Sequence, residues 1–114
     1  MSVETAREFA ERRKRSNEVV LDRSGLAVKR FFALDQDVYE DGVLPRRTKE
    51  LLGLVASTVL RCDDCIRYHL SEAVAVGVGT EEIAEALAVA LIVGGSITIP
   101  HLRRAFEYLE SIES

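Results

Sequence analysis

The stretch RRTKELLGLVASTVLRCDDCIRYHLSEAVAVG, residues 46–77, places two apolar patterns on either side of a pair of cysteines. In the first pattern, residues 46–60, leucine and valine cover most of a helix circumference, which is typical of a helix buried on nearly all sides. In the second, residues 63–76, apolar residues recur at a spacing of about 3.6, and Gly77 is a typical C-terminal stop. The sequence therefore predicts two consecutive helices, with the cysteines at the start of the second.

Helical patterns also account for the rest of the chain. Further helices are predicted at about residues 3–17, 24–39, 80–95 and 100–114. There are only two prolines, and strand-like alternation is confined to residues 96–99. We therefore expect an all-α fold, a bundle of about five to six helices that forms a single domain over residues 1–114.

Three expectations concern the packing of these helices. The first helix is charged nearly all round except for Phe9, so it should pack weakly or against a partner chain. The helix at about residues 24–39 should place its valine and phenylalanine side chains on one side. Thr80 is expected to cap the N-terminus of the fifth helix, because a threonine there is followed by two glutamates.

Composition limits the classes of function. The net charge is −4 and the pI is ≈ 5.2, whereas a nucleic-acid surface needs a basic stripe. The one basic run, residues 12–15, is flanked by glutamates and is interpreted as a solvated helix face. The longest uncharged segment, residues 86–100, is shorter than the ~18–20 residues that span a bilayer, and no secretory signal follows Met1. We expect a soluble, cytoplasmic protein that binds neither nucleic acid nor membranes.

The chain has a surplus of apolar residues for one small domain. Hydrophobic residues make up 47% of its 114 residues, and most of them are small aliphatic side chains. Such a surplus suits close helix packing and an interface between copies of the chain.

Both cysteines and one of the two histidines lie within eight residues. At about 100° of rotation per residue, Cys62, Cys65 and His69 fall on one stripe of a helix, next to its core stripe. Free N–H groups at the helix start stabilise a thiolate at Cys62, and His69 lies one turn beyond Cys65, where it can accept a proton. Asp63 and Asp64 stabilise the first helical turn but oppose a nearby thiolate.

These residues leave three hypotheses open. The first is a redox-active pair and the second is a metal site, because in a reducing compartment paired cysteines are more often catalytic, redox-sensing or metal-binding than a structural disulfide. A zinc site would recruit Cys62, Cys65, His69 and His101, although structural zinc sites usually take their CxxC from a turn. The third hypothesis is two buried cysteines with an incidental histidine.

Glu50 is the one charged residue between Lys49 and Arg61. It is either a solvated residue at a helix end or a partly buried base. If residues 46–69 formed one straight helix, Glu50 would lie about 18 Å along the axis from Cys62 and about 120° around it. A proton relay from Glu50 therefore requires a sharp turn near Arg61 or a Glu50 from a neighbouring subunit.

Taken together, these motifs resemble the carboxymuconolactone decarboxylase superfamily, in its alkylhydroperoxidase D-like (AhpD-like) branch. The matching pattern is a glutamate, eleven residues, and C-x-x-C-x-x-x-H, here Glu50, Cys62, Cys65 and His69. PRRTKELLGLVAS precedes it, and AVAVGVGTEEIAEAL and LIVGGS follow. The family-like core covers about residues 44–96.

The resemblance implies an all-helical, AhpD-like fold that assembles into homo-oligomers, commonly hexamers built as trimers of dimers. It also implies a thiol-dependent peroxidase in which Cys62 and Cys65 form a redox-active disulfide and Glu50 and His69 relay protons. The expected partners are a small hydroperoxide and a dithiol, lipoyl or thioredoxin-like electron donor, with no cofactor.

The sequence departs from the family pattern at one position. Well-known members have a second histidine immediately before the second cysteine, and Asp64 stands there in this chain. The alternatives are a disulfide reductase or adaptor without peroxidase activity, and a zinc-binding or plain structural oligomer. Lactone decarboxylation is less expected, because the decarboxylase branch generally lacks the cysteine pair.

Overall fold

The computed structural model describes residues 4–113, which contain helices and connecting turns and no β-strand. A short 3-10 helix, Ser96–Thr98, precedes the last of six α-helices. The α-helices are Ala6–Arg23 (α1), Leu26–Val38 (α2), Arg46–Val59 (α3), Asp63–Ala75 (α4), Thr80–Gly94 (α5) and Ile99–Glu113 (α6). The predicted all-α fold is confirmed. None of these helices is long and apolar enough to cross a membrane.

Helices α3 and α4 form the centre of the fold. Helix α3 packs against α4 and α5, while α6 covers another side of α4 and α1 contacts both α4 and α6. Their inward faces share one apolar core, which includes Leu54, Ile66, Leu70, Ile83, Leu87 and Tyr108. The chain is slightly extended, because its radius of gyration of 14.5 Å exceeds the about 13 Å expected for a compact chain of this length.

A tight turn at Arg61 separates α3 from α4. The N–H of Arg61 donates to the carbonyl of Thr58 and the N–H of Cys62 donates to that of Ser57, both at 3.0 Å. These two bonds form a Schellman motif, which satisfies carbonyls at the helix end and requires a left-handed residue between them. Arg61 takes that conformation with a φ of 62°. The sharp turn that the relay hypothesis requires is therefore present.

Helix α1 is longer than predicted and is anchored at its start. Thr5 and Glu8 form a capping box, in which each side chain accepts from the other residue's N–H at 3.2 Å. Phe9 is the one buried residue of this helix and packs edge-on against Tyr108. Val3, where the predicted helix starts, and Ser114, where the last predicted helix ends, lie outside the described residues.

Two predictions about α3 and α5 need correction. Helix α3 is not buried on nearly all sides, since Leu52 is exposed. Its neighbours cover the side that carries the buried residues Glu50, Leu54, Ser57 and Thr58. Gly79 rather than Thr80 occupies the N-cap of α5, and the Glu82 side chain accepts from its N–H.

Helix α2 has no buried residue at all. Most of its large apolar side chains are solvent-exposed, with Phe31 at 67% and Leu34 at 59%, whereas Phe32 is half-buried. The predicted apolar face exists, but residues 4–113 leave most of it uncovered.

Candidate functional site

The site is centred on a buried contact between α3 and α4. Glu50 is 0% exposed and His69 8%, and Glu50 Oε1 lies 2.8 Å from His69 Nδ1. The turn at Arg61 brings these residues together, although they are 19 positions apart. One straight helix over residues 46–69 would have kept Glu50 and His69 apart, and the turn between α3 and α4 replaces it.

Glu50 selects the tautomer of His69. A carboxylate only accepts hydrogen bonds, so Nδ1 carries the ring proton and donates it to Glu50. Nε2 is then the acceptor, and Tyr39 Oη lies 3.4 Å from it, at the outer limit of a hydrogen bond. Burial and the negative charges of Glu50 and Asp35 raise the pKa of Tyr39, which keeps its hydroxyl protonated. His69 is thus oriented with a basic nitrogen directed away from Glu50.

Arg46 balances the buried carboxylate. Its Nε lies 3.5 Å from Glu50 Oε2, and its Nη2 forms a 2.8 Å ion pair with Glu72. Burial acts to lower the pKa of Arg46, but Glu72 and Glu50 outweigh it and raise the pKa, so the guanidinium stays charged. A neighbouring cation makes a buried carboxylate affordable in energy.

A side chain at position 53 would displace its neighbours. A Cβ on Gly53 would lie 2.7 Å from both His69 Cε1 and Tyr39 Oη, closer than real Cβ contacts. The absence of a side chain lets the imidazole ring and the tyrosine hydroxyl approach the α3 backbone.

The two cysteines form a disulfide at the start of α4. Cys62 is the N-cap residue, and its Sγ accepts from the N–H of Cys65 at 3.2 Å. Cys62 is half-buried, whereas Cys65 is exposed. The predicted position of Cys62 at the helix start is confirmed.

Cys65 and His69 open into the same cavity, which has a volume of about 290 Å³. Its other walls come from α1, α2 and α4, and include Phe9, Arg12, Arg13, Asp35, Asp64 and Tyr68. A small ligand in this cavity would meet one sulfur and the imidazole together. Cys62 is not part of its lining.

His101 belongs to a separate cluster on the other side of the α4 start. Asp63 accepts from His101 Nδ1 at 2.8 Å and from Arg104 Nε at 2.9 Å. Burial alone would raise the pKa of Asp63, but these two hydrogen bonds and the charge of Arg104 outweigh it and hold the pKa below its usual range. The alternative zinc set Cys62, Cys65, His69 and His101 is not assembled, and no three His, Cys, Asp or Glu side chains within residues 4–113 are grouped to hold a metal.

Asp64 is turned toward α1. Its Oδ1 lies 3.1 Å from Arg12 Nη2 and 3.3 Å from Arg67 Nη1. From the sequence, the negative charge of Asp64 was expected to destabilise a thiolate at Cys65. The two guanidinium groups offset that charge.

The fold and the site define a class: a helical CxxC protein with a buried Glu–His pair beside one of its sulfurs. The chain belongs to the carboxymuconolactone decarboxylase family, whose sequence model matches residues 26–108. The predicted family resemblance is confirmed.

Relatives in other organisms agree with this assignment. An uncharacterised protein of the cox locus of Paracoccus denitrificans is 34% identical over 83 residues, covering 73% of this chain and 75% of the relative. A crystal structure of a Thermotoga maritima protein is 61% identical with a TM-score of 0.91, covering 93% of each chain. A second crystal structure of the same Thermotoga maritima protein, 60% identical with a TM-score of 0.89 and covering 93% of this chain and 90% of that one, describes it as a family protein with a suggested part in the antioxidative response. A Legionella pneumophila family protein, 23% identical with a TM-score of 0.86 over 96% and 97% of the two chains, shares the fold.

Sequence reasoning missed three side chains of the site and one glycine. Tyr39 and Arg12 reach the site from outside the helical pair, 30 and 52 residues from their partners. Arg46 had a weak signal, since it lies one helical turn before Glu50. Gly53, inside an apolar helical pattern, was the signal for a close approach.

Proposed function

We propose that the protein is a thiol-dependent peroxidase that reduces small hydroperoxides with the Cys62/Cys65 dithiol. The observation that carries this proposal is the buried 2.8 Å contact between Glu50 and His69 at the cavity that Cys65 lines. A pair of this kind supplies a base that is fixed in one tautomer next to a nucleophilic sulfur. The suggested antioxidative part of the Thermotoga maritima relative agrees with it.

In the proposed reaction, His69 Nε2 accepts the proton of the Cys65 thiol, and Glu50 stabilises the resulting imidazolium. The thiolate attacks the terminal oxygen of the hydroperoxide, the O–O bond breaks, and the alkoxide takes the proton from His69 and leaves as an alcohol. The Cys62 thiol then attacks the sulfur of the Cys65 sulfenic acid, which releases water and forms the disulfide. One hydroperoxide is reduced by two electrons, and two thiols are oxidised.

A dithiol, lipoyl or thioredoxin-like donor then reduces the disulfide by thiol–disulfide exchange. A cytoplasmic location is part of the proposal, because a reducing compartment returns the protein to its dithiol form.

Single-cysteine variants test the mechanism. Treated with cumene hydroperoxide and a sulfenic-acid trap, Cys62→Ser should accumulate sulfenic acid at Cys65, because no resolving thiol remains. Cys65→Ser should trap none. Trapping in neither variant contradicts the peroxidase, and inertness to the hydroperoxide combined with rapid exchange against a protein disulfide would favour the reductase instead.

A matched pair of glutamate variants tests the relay. Both Glu50 and Glu72 contact Arg46, but only Glu50 contacts His69. Glu50→Gln should slow hydroperoxide turnover at saturating dithiothreitol by about 100-fold, the lower range for loss of acid–base assistance. Glu72→Gln should leave most of it. Equal losses would reduce Glu50 to a structural residue.

We also propose that the protein, as one domain over residues 1–114, assembles into a homo-oligomer, with a hexamer of three dimers as the expected form. Exposed apolar side chains on α3, at its C-terminal cap and on the adjoining face of α5 support this, among them Leu52, Leu60, Val89, Ile92 and Val93. Large exposed apolar patches are typical of interfaces between chains. Sedimentation velocity should find a hexamer that Ile92→Asp dissociates, and a monomer for the unchanged chain would contradict the proposal.

A further inference from the structure

Helix α1 covers the redox site from one side, and the family match at residues 26–108 does not include it. It supplies half of the cavity lining, namely Phe9, Arg12, Arg13, Ser16 and Asn17. Arg13 stacks on the ring of Tyr68, with its Cζ 3.9 Å from the ring centroid. Since Cys65 is itself exposed, α1 narrows the approach to the sulfur rather than sealing it.

A few contacts attach this helix to the rest of the fold, among them the N–H of Ala6, which donates to Ser111 Oγ of α6 at 3.2 Å. Phe9 is its one buried residue, so its apolar anchoring is slight. Arg12 adds a polar attachment: its Nε and Nη2 grip both oxygens of Glu4, at 2.8 and 3.2 Å, and Nη2 also reaches Asp64 at 3.1 Å. Glu4 thereby holds the guanidinium in one orientation, with an edge directed at α4.

The attachment through Arg12 ends at Asp64, next to the reactive cysteine. Asp64 lies in the first turn of α4 and immediately precedes Cys65. Its carboxylate is held between Arg12 of α1 and Arg67 of its own helix. The same residue that replaces the family's inner histidine therefore ties α1 to the turn that carries the reactive sulfur.

We propose that α1 is a size-selecting roof over Cys65 and that the Arg12–Asp64 ion pair positions it. With the pair formed, a small hydroperoxide enters the cavity while bulky thiol-reactive molecules are hindered. Arg12 and Asp64 are positioning residues and take no part in the bond-making steps. The selection of substrates by α1 rests on the proposed peroxidase function. The position of α1 over Cys65 is tested separately, by an experiment that requires no turnover.

A direct electrostatic role for Asp64 is distinguishable from this one. If Asp64 acted only through its charge on Cys65, its removal would change the thiolate fraction and scale the rates of all thiol reagents alike. If it positions a roof, removal changes the rate for a large reagent more than the rate for a small one. The ratio of the two rates cancels the electrostatic effect.

The experiment uses the reduced Cys62→Ser protein, in which Cys65 is the single thiol and serine is a good N-cap. Rates of alkylation are measured with N-ethylmaleimide and with a maleimide on a 5-kDa polyethylene glycol, reagents of the same chemistry. Arg12→Gln and Asp64→Asn should each raise the large-to-small rate ratio about fivefold, the population change that one strong exposed ion pair allows. The double variant should equal the larger single effect, because both changes break one contact.

Arg7→Gln is the control, since Arg7 forms an exposed ion pair with Glu11 on the same helix at 3.6 Å. A ratio that Arg12→Gln and Asp64→Asn leave unchanged, or that Arg7→Gln raises equally, overturns the proposal. Hydroperoxide consumption by the otherwise unmodified protein is measured separately. Its absence together with a raised ratio would refute the peroxidase and keep the roof, whereas turnover with a flat ratio would refute the roof alone.

Discussion

The chain ends α3 and α4 with the same hydrogen-bonded motif but with different residues at its critical position. After α4, Gly77 takes a φ of 88°, and after α3, Arg61 takes a φ of 62°. Glycine adopts such angles without steric penalty, whereas a residue with a Cβ is destabilised there by roughly 1–2 kcal/mol. The unfavourable residue is at the turn that brings Glu50 to His69, and the favourable one is at the turn farther from the site.

The two turns differ in how well the sequence predicts them. A glycine after an apolar helical pattern predicts a turn, so the end of α4 was predicted correctly. An arginine carries no such signal, so the apolar patterns predicted a break between α3 and α4, but the sharpness of the turn at Arg61 entered only as a requirement of the relay hypothesis. Strained backbone is often found at functional sites.

The largest expected effect comes from making the first turn impossible. Arg61→Pro fixes φ near −65°, far from 62°, and removes the N–H that bonds to Thr58. We expect a loss of at least about 3 kcal/mol in the free energy of unfolding. Urea denaturation measures it, with Arg61→Ala as a near-neutral control that keeps the same backbone strain. Equal midpoints for the two variants would show that the turn is not required.

A smaller effect is expected from blocking the close approach that this turn produces. Gly53→Ala places a Cβ against His69 and Tyr39, so the ring must move. Overpacking should cost about 2 kcal/mol, and displacement of the imidazole should reduce hydroperoxide turnover by about 100-fold. Gly25→Ala, where a Cβ has open space, is the matched control. Full turnover in Gly53→Ala would show that the orientation of His69 is not critical.

The second turn is tested by giving it the residue of the first. Gly77→Arg introduces a Cβ at a φ of 88° in open space, so only backbone strain is added. We expect a loss of about 1.5 kcal/mol, measured by urea denaturation, with turnover retained by the folded protein. A selective loss of turnover would mean that the turn after α4 also supports the site.

The start of the helix after Arg61 has a pH-dependent anchor. Burial acts to raise the pKa of Asp63, but His101 and Arg104 outweigh it and hold the pKa below its usual value. The ionised Asp63 therefore stabilises the fold fully above the unfolded pKa of about 4, and this stabilisation is lost as the pH falls through the lower folded pKa. Asp63→Asn should lower the free energy of unfolding by about 1 kcal/mol at pH 7. The difference from the unchanged protein should shrink below about pH 4. Denaturation across pH, with exposed Glu107→Gln as control, measures it, and a pH-independent difference would contradict the anchor.

The smallest effect is expected when the first turn is given the glycine of the second. Arg61→Gly relieves the left-handed strain but gives the unfolded chain more freedom, so we expect a net gain of only about 0.5 kcal/mol. The thermal midpoint should rise by a few degrees with turnover unchanged. A loss of stability would mean that the arginine side chain itself holds the turn.

The helices of this protein were predictable because their signals are local. Apolar spacing and glycine stops lie within one helix, so the positions of α2 to α6 were predicted to within a few residues. What covers each helix is not local: α3 and α2 both show apolar surfaces, yet Leu52 and Phe31 are exposed. Periodicity detects a face without identifying its neighbour.

The two cysteines, His69 and Glu50 could be chosen as candidates from the sequence, but their arrangement in space and the residues around them could not. Spacing placed both cysteines and His69 on one stripe, the isolated charge of Glu50 made it a candidate, and the family resemblance assigned Glu50 a role in the relay. Tyr39 and Arg12 contact the site from helices distant in sequence, and no pattern within one helix reports such contacts. The contact between Asp64 and Arg12 could only be seen once α1 was placed over α4.

The turn at Arg61 also bears on the order in which the chain folds. Because Glu50 and His69 are on consecutive helices, their contact closes only a short loop, and short loops close quickly and at little cost in chain entropy. We expect this helical hairpin to form early, before the longer-range contacts of α1 and α6 are made. A contact between Glu50 and His69 that forms in so local a step does not depend on the prior placement of the outer helices.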